Sequence, residues 1–250
     1  MLWLLLLGVV YGAVSLDYII VYYYLNKEGI VQVEETYGLT LTEGDIARYL
    51  DNFQNNDFAS WAAFINDSDF SIHVNTRYVE IEDFKIFPQP VVVYKKNPPT
   101  GRAEIIVKYN AINRDPDTGI FRYYQVKPRL YRYVLIPEAL SFPRSQGFII
   151  LDNRTTLLID YDKQSYRLKE LSPNSMFNDS IGWKGTTLPT IHLVLERLVG
   201  YDEEIILTFE NWATQALELL TKPEGWIIGF YLVLFIYFLL KSRKMVIKHA

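Results

Sequence analysis

Asp17 to Leu25 reads Asp-Tyr-Ile-Ile-Val-Tyr-Tyr-Tyr-Leu, a run of β-branched and aromatic residues that fits a strand. Asn26-Lys27-Glu28-Gly29 follows, and then a second run of the same kind, Ile30 to Tyr37. Two such runs joined by four residues ending in Gly predict a β-hairpin. Side chains alternate faces along a strand, so the adjacent Glu34 and Glu35 are expected on opposite sides of it.

The period then changes. Ile46, Tyr49, Leu50 and Phe53 recur at helical spacing behind Thr42-Glu-Gly-Asp45, a variant of the capping box with Asp in place of Glu. Phe58, Trp61, Ala62 and Ile65 repeat that spacing behind Asn56 or Asp57, either of which can cap a second helix. From Ser71 to about Arg197 the pattern returns to short β-type runs. They are separated by turn signals such as Pro88-Gln89-Pro90, Asn97 to Gly101, Asn113 to Gly119 and Ser172-Pro173-Asn174. The fold class expected is mainly β with minor α (α+β). Its ectodomain is an immunoglobulin-like β-sandwich at 16–200 that carries two short helices near 43–66.

The two ends have a different character. Leu2 to Val14 is leucine-rich and ends in the small-x-small pair Ala13-Val14-Ser15, which predicts a signal peptide at 1–15. Residues 201–222 open with Asp202-Glu203-Glu204. They carry Ile205, Phe209, Trp212, Ala216 and Leu219 on one stripe, the pattern of a juxtamembrane amphipathic helix. Residues 225–240 hold no charge from Trp226 onward and predict a single C-terminal transmembrane helix, with Trp226, Tyr231 and Tyr237 near the interfaces. Lys241, Arg243, Lys244 and Lys248 make 241–250 a basic tail, which the positive-inside rule places in the cytoplasm. The expected localisation is therefore a cell membrane crossed once, with the N-terminal domain outside.

Charge supports that division. Those four tail cations out of 25 leave 21 against 29 acids in the rest of the chain, an acidic body that disfavours nucleic acid as a partner. The sequence has no cysteine, which excludes disulfides, a thiolate nucleophile and cysteine-based metal sites. Asn113-Arg-Asp-Pro-Asp-Thr-Gly119 places acids at alternate positions. The sixth residue is Thr118 and the twelfth Tyr124, so a hairpin turn explains the stretch better than a calcium loop. His73 and His192 fall in β-type stretches with no catalytic motif beside them. No catalytic, cofactor or metal-binding residue is assigned, and no cofactor is expected.

The most unusual stretch is Phe121 to Tyr133, where Arg122, Lys127, Arg129 and Arg132 are interleaved with five aromatic residues. Arg122, Tyr124, Arg129, Tyr131, Arg132 and Tyr133 are the candidate interaction surface, of a kind that suits a protein interface or a stacked glycan. Asn66, Asn153 and Asn178 each begin an Asn-x-Ser/Thr sequon near a turn signal and are candidate glycosylation sites.

The layout is similar to prokaryotic, especially archaeal, envelope proteins that place a β-sandwich between a signal peptide and a membrane anchor. Tyr22 to Glu35 around Gly29, Leu171 to Asn174, Gly182 to Gly185 and Leu193 to Arg197 carry that resemblance. It implies an architecture and no chemistry. The function expected is a membrane-anchored extracytoplasmic interaction or assembly module, non-enzymatic, with the lipid bilayer and a protein of the membrane or envelope as partners. Two alternatives stand beside it: a cell-surface binding protein for a glycan or small ligand, and an unrecognised hydrolase.

Overall fold

The computed structural model describes residues 14–199, apart from 95, 96, 116 and 178. The strands in chain order begin with β1 (Ser15–Leu25), β2 (Val31–Thr42), β3 (Val79–Pro88), β4 (Val92–Tyr94) and β5 (Thr100–Asn113). Next come β6 (Phe121–Lys127), β7 (Leu130–Leu135), β8 (Arg144–Ser145), β9 (Phe148–Ile150) and β10 (Thr155–Tyr161). The last are β11 (Tyr166–Ser172), β12 (Met176–Phe177), β13 (Ser180–Lys184), β14 (Thr187–Leu188) and β15 (His192–Leu198). Helices α1 (Glu43–Asn52) and α2 (Phe58–Ile65) fall between β2 and β3.

The predicted hairpin forms as β1 and β2, antiparallel, with Gly29 at φ +86° in the turn. A positive φ is cheap only for glycine, which is why the signal was readable. The main sheet has eight strands in the order β12-β13-β10-β1-β2-β5-β3, with β4 also on β5. Among the described residues there are also a four-stranded sheet, β11-β15-β7-β6, and a three-stranded one, β14-β9-β8.

The described residues are thus β-rich with two short helices. The layering differs from an immunoglobulin-like arrangement, which divides its strands between two antiparallel sheets. Here eight strands share one sheet, and β1 pairs with β10 in parallel. Turn spacing sets strand lengths but not partners, and only a strand from far along the chain can pair in parallel with β1.

One face of the main sheet is core. Leu16, Ile19, Val21, Tyr23 and Leu25 of β1 are buried, as are Val31, Val33, Tyr37, Leu39 and Leu41 of β2. Each large apolar side chain removed from water in this way contributes about 1.5–3 kcal/mol. The helices cover part of that face: Tyr49 of α1 donates to the carbonyls of Gln89 (2.7 Å) and Glu104 (3.1 Å), and its ring meets Trp61 of α2 at 5.2 Å.

Asp57 caps α2, accepting from the N–H groups of Ala59 and Ser60. At α1 the capping differs from expectation, because the Thr42 hydroxyl donates to the Asp45 carboxylate and makes no cap hydrogen bond to a helix N–H group. Leu50, placed by periodicity on the buried stripe of α1, is 55% exposed, and Asp45 and Tyr49 are the residues buried there.

Among the described residues no helix is long and apolar enough to cross a membrane. The segments read as signal peptide (1–15, all but its last two residues), juxtamembrane helix (201–222), membrane span (225–240) and basic tail (241–250) lie outside the described residues.

Candidate functional site

The face of the main sheet opposite the core is built by strict alternation. Tyr18, Ile20, Tyr22 and Tyr24 of β1 point there, in register with Gly38, Thr36, Glu34 and Gln32 of β2. Those residues in turn oppose Glu104, Ile106, Lys108 and Asn110 of β5. The Tyr22 and Tyr24 rings stack at 6.4 Å with 15° between their planes.

Lys108 Nζ and the Glu34 carboxylate pair at 2.7 Å. A register shift in β3 between Glu82 and Lys85, with Asp83 at φ +53°, is a β-bulge that re-aims the strand. Asp83 then accepts from Asn110 Nδ2 at 3.0 Å. Together these residues line a groove of about 530 Å³ floored by central strands.

A second depression, about 520 Å³, lies on the same face at Tyr18, Gly38, Tyr94 and Arg102. Gly38 explains the pose of Tyr18. A Cβ there would sit 2.1 Å from Tyr18 Cε1, so the ring can lie across β2 only because the residue beneath it is glycine. Its hydroxyl reaches over to donate to Glu104 on β5. Burial, and then the Glu104 carboxylate, push the Tyr18 phenol up to about 12; burial and Asp160 do the same to Tyr22. Across the depression the Arg102 guanidinium lies 5.7 Å from the Tyr94 ring centre.

The hairpin singled out in the sequence is split by the fold. In β6, Arg122 and Tyr124 are exposed on the edge of the four-stranded sheet. Arg129 occupies the turn at φ +64°. In β7, Tyr131 packs partly on the core, Arg132 pairs with Glu196 of β15 at 2.6 Å, and Tyr133 is buried with its ring 5.0 Å from Tyr166. The Glu196 and Tyr124 side chains, as hydrogen-bond partners, raise Arg132. Asn66 is exposed at the end of α2, and Asn153 is exposed in a turn whose Thr155 hydroxyl donates to Asp152. Asn178 lies outside the described residues. The Asn113–Gly119 stretch is the expected turn, with Gly119 at φ +107° and the Thr118 N–H on the Asp115 carbonyl.

Glu34 and Glu35 do point to opposite faces, and Glu35 is fully buried. His73 donates its backbone N–H to Glu35 Oε1 at 2.8 Å, and its Nδ1 lies 3.0 Å from Oε2. The Tyr37 and Tyr109 hydroxyls complete the set, and Tyr23 donates to the His73 carbonyl. Burial alone would raise Glu35; the neighbouring His73 and the hydrogen bonds from His73, Tyr109 and Tyr37 outweigh it and hold the carboxyl below its ordinary value. Burial, then the Glu35 carboxylate, push Tyr37, Tyr109 and Tyr23 well above theirs.

His73 is in a loop before β3 and not in a strand, so this cluster was hidden from any strand-based reading. His73 alone of the cluster lines a cleft of about 290 Å³ whose Asp69 and Asp152 are tied to Arg154. Among the described residues no hydroxyl is hydrogen-bonded to the His73 ring, whose one hydrogen bond goes to Glu35.

The Tyr22/Tyr24 groove was missed in the sequence, although one signal for it existed. The two tyrosines sit at alternate positions of a predicted strand, on the face away from Ile19, Val21 and Tyr23. Their partners on β5 and β3 depend on pairings that no local pattern encodes.

No family model matches the chain, and neither does any curated protein. Among solved structures, it is similar to the folded domain of LppM from Mycobacterium tuberculosis, covering 77% of this chain and 95% of that one at 6% identity and a TM-score of 0.25. It is also similar to the Fcho1 mu homology domain of Danio rerio, solved with a bound Eps15 peptide. There the overlap is 74% of this chain and 79% of that one, with 13% identity and a TM-score of 0.17. At these TM-scores neither likeness bears on fold or function. The described residues define a class, a β-rich α+β domain.

Proposed function

We propose that the chain is a non-enzymatic, membrane-anchored binding module, held outside the cytoplasm, that takes its ligand on the outward face of the main sheet. The observation that carries this reading is the groove in which stacked Tyr22 and Tyr24 stand beside Glu34, Lys108 and Asn110. Binding sites of this type join apolar surface to a few placed polar groups. The anchor and its orientation rest on the sequence: the uncharged 226–240 run and the cations that follow it. Glu35 meets four donors within the protein, which favours a structural part for the buried cluster over a catalytic one.

The test is titration of the full chain in lipid nanodiscs with a panel of neutral oligosaccharides and extended peptides, read by intrinsic fluorescence. Binding lost in Tyr22→Ala and Tyr24→Ala supports the groove; no binding, or binding indifferent to both variants, overturns it.

Exposure of β6 favours a second reading, assembly with a membrane or envelope protein through this edge, where Arg122 and Tyr124 stand clear of the core. Cross-linking in native membranes from Tyr124→Cys and from Lys108→Cys separates the two readings. A protein adduct from the first position alone supports assembly through β6.

A further inference from the structure

We infer that the ligand of this face is a neutral, linear glycan lying along β1 across both depressions; the inference rests on the binding module proposed above.

Geometry gives the length of the track. Tyr18 and Tyr24 point to the same face of one strand, six residues apart, which at about 3.3 Å per residue spans roughly 20 Å. The first groove contains Tyr22 and Tyr24, the second Tyr18 and Tyr94. A single cross-strand row separates them, Ile20, Thr36 and Ile106, with no charged side chain among them. A ligand that filled only one groove would leave the other aromatic pair unused.

The walls and floor weigh against the other extended polymers. In the first groove Glu34 and Asp83 balance Lys85 and Lys108; in the second Asp17 and Glu104 face Arg102. Neither balance suits nucleic acid or an anionic lipid surface, both of which need a basic patch. A peptide captured by strand addition needs a free sheet edge. The floor is made of β1, β2 and β5, each paired on both sides. Strands β3 and β4, which border the grooves, are outer strands among the described residues, and a peptide added to them would extend the sheet and not lie over the tyrosines of β1. Side chains alone must do the recognition.

The side chains present are ring faces and short polar groups. Tyr18 is laid across Gly38. Around the Tyr22/Tyr24 pair stand Gln32, Asn110 and the Glu34–Lys108 pair, which offer donors and acceptors in mixed directions. An apolar sugar face over a ring, with hydroxyls at the edges, meets both requirements.

The experiment is affinity against chain length, using the full chain in nanodiscs and β-linked glucose and N-acetylglucosamine oligomers of two to six units. Affinity is expected to rise with length, and each added ring contact to contribute roughly three- to tenfold. In Tyr94→Ala, whose site lies at the far end, the ratio of six-unit to two-unit affinity is expected to fall toward one. Tyr94 is 41% exposed, which limits any effect of this change on folding. Tyr24→Ala should lower affinity at every length.

An affinity independent of length, with Tyr24→Ala still harmful, overturns the linear-glycan inference and leaves the binding module standing. Binding of neither saccharide nor extended peptide at any length overturns both. Binding of an extended peptide in place of the oligomers, lost in Tyr24→Ala, overturns the glycan class alone.

Discussion

Glu35 has no exposed surface, yet it is a carboxylate among Tyr37, Tyr109 and His73 in an otherwise apolar core. A buried charge is tolerable when every lone pair finds a donor, and here four do. Removing the acceptor strands those donors. Glu35→Leu is therefore expected to cost about 3–5 kcal/mol in urea unfolding, as for a broken buried pair; a cost under about 1 kcal/mol contradicts the cluster as described. Gly38 has the opposite importance, since what matters is the side chain it lacks. In Gly38→Ala the Tyr18 ring must lift, losing its bond to Glu104, and NMR titration should show its phenol fall from about 12 toward the ordinary value near 10. An unchanged titration would mean that the ring does not rest on β2.

Strand β1 shows how one element serves two ends. Its core-facing residues anchor it between β2 and β10, and its other face presents the tyrosines. Truncations should respect that division: Ile19→Ala, deep in the core, is expected to cost about 2–5 kcal/mol by unfolding. Ile20→Ala, on the half-exposed face, should cost clearly less. Equal costs would require a register shifted by one residue, which would also turn the tyrosines into the core.

The hairpin, α1 and α2 were legible because each rests on a local rule: Gly29 at a positive φ, Asp57 at a cap, and spacing on a helix. The exposure of Leu50 was not legible, because helical spacing names a stripe while the tertiary neighbours choose which edge of it is covered. The Arg/Tyr hairpin is divided between exposed and buried positions for the same reason. Tyr133 and Tyr124 are alike in sequence, but only Tyr133 has Tyr166 above it.

At the level of the entire domain, the core tyrosines set a limit on pH. Tyr23, Tyr37 and Tyr109 have raised phenol values in the folded state, so the stability they confer is fully present below the unfolded value near 10. It is lost as pH climbs toward the folded values. Glu35 works in the other direction: its depressed carboxyl contributes above the ordinary carboxylate range, and that contribution disappears as acid protonates it. Stability is expected to be level between about pH 5 and 9 and to fall above about pH 10. Phenolate absorbance should show the buried tyrosines ionising only together with unfolding. Early ionisation of all tyrosines in the folded protein would refute the buried cluster.

Local chemistry along the chain decided the element types, the first hairpin, the two helices, the opposed faces of Glu34 and Glu35, and the expectation of a membrane anchor. These depend on periodicity, turn residues and charge within a few positions of one another. Partnership over long separations was settled by folding alone. Tyr22 and Asp160 are 138 positions apart and Glu35 and His73 are 38 apart. Which strand enters beside β1, and which loop covers Glu35, depends on how the apolar faces are buried together. Many distant segments carry compatible patterns, and only the packed core chooses among them.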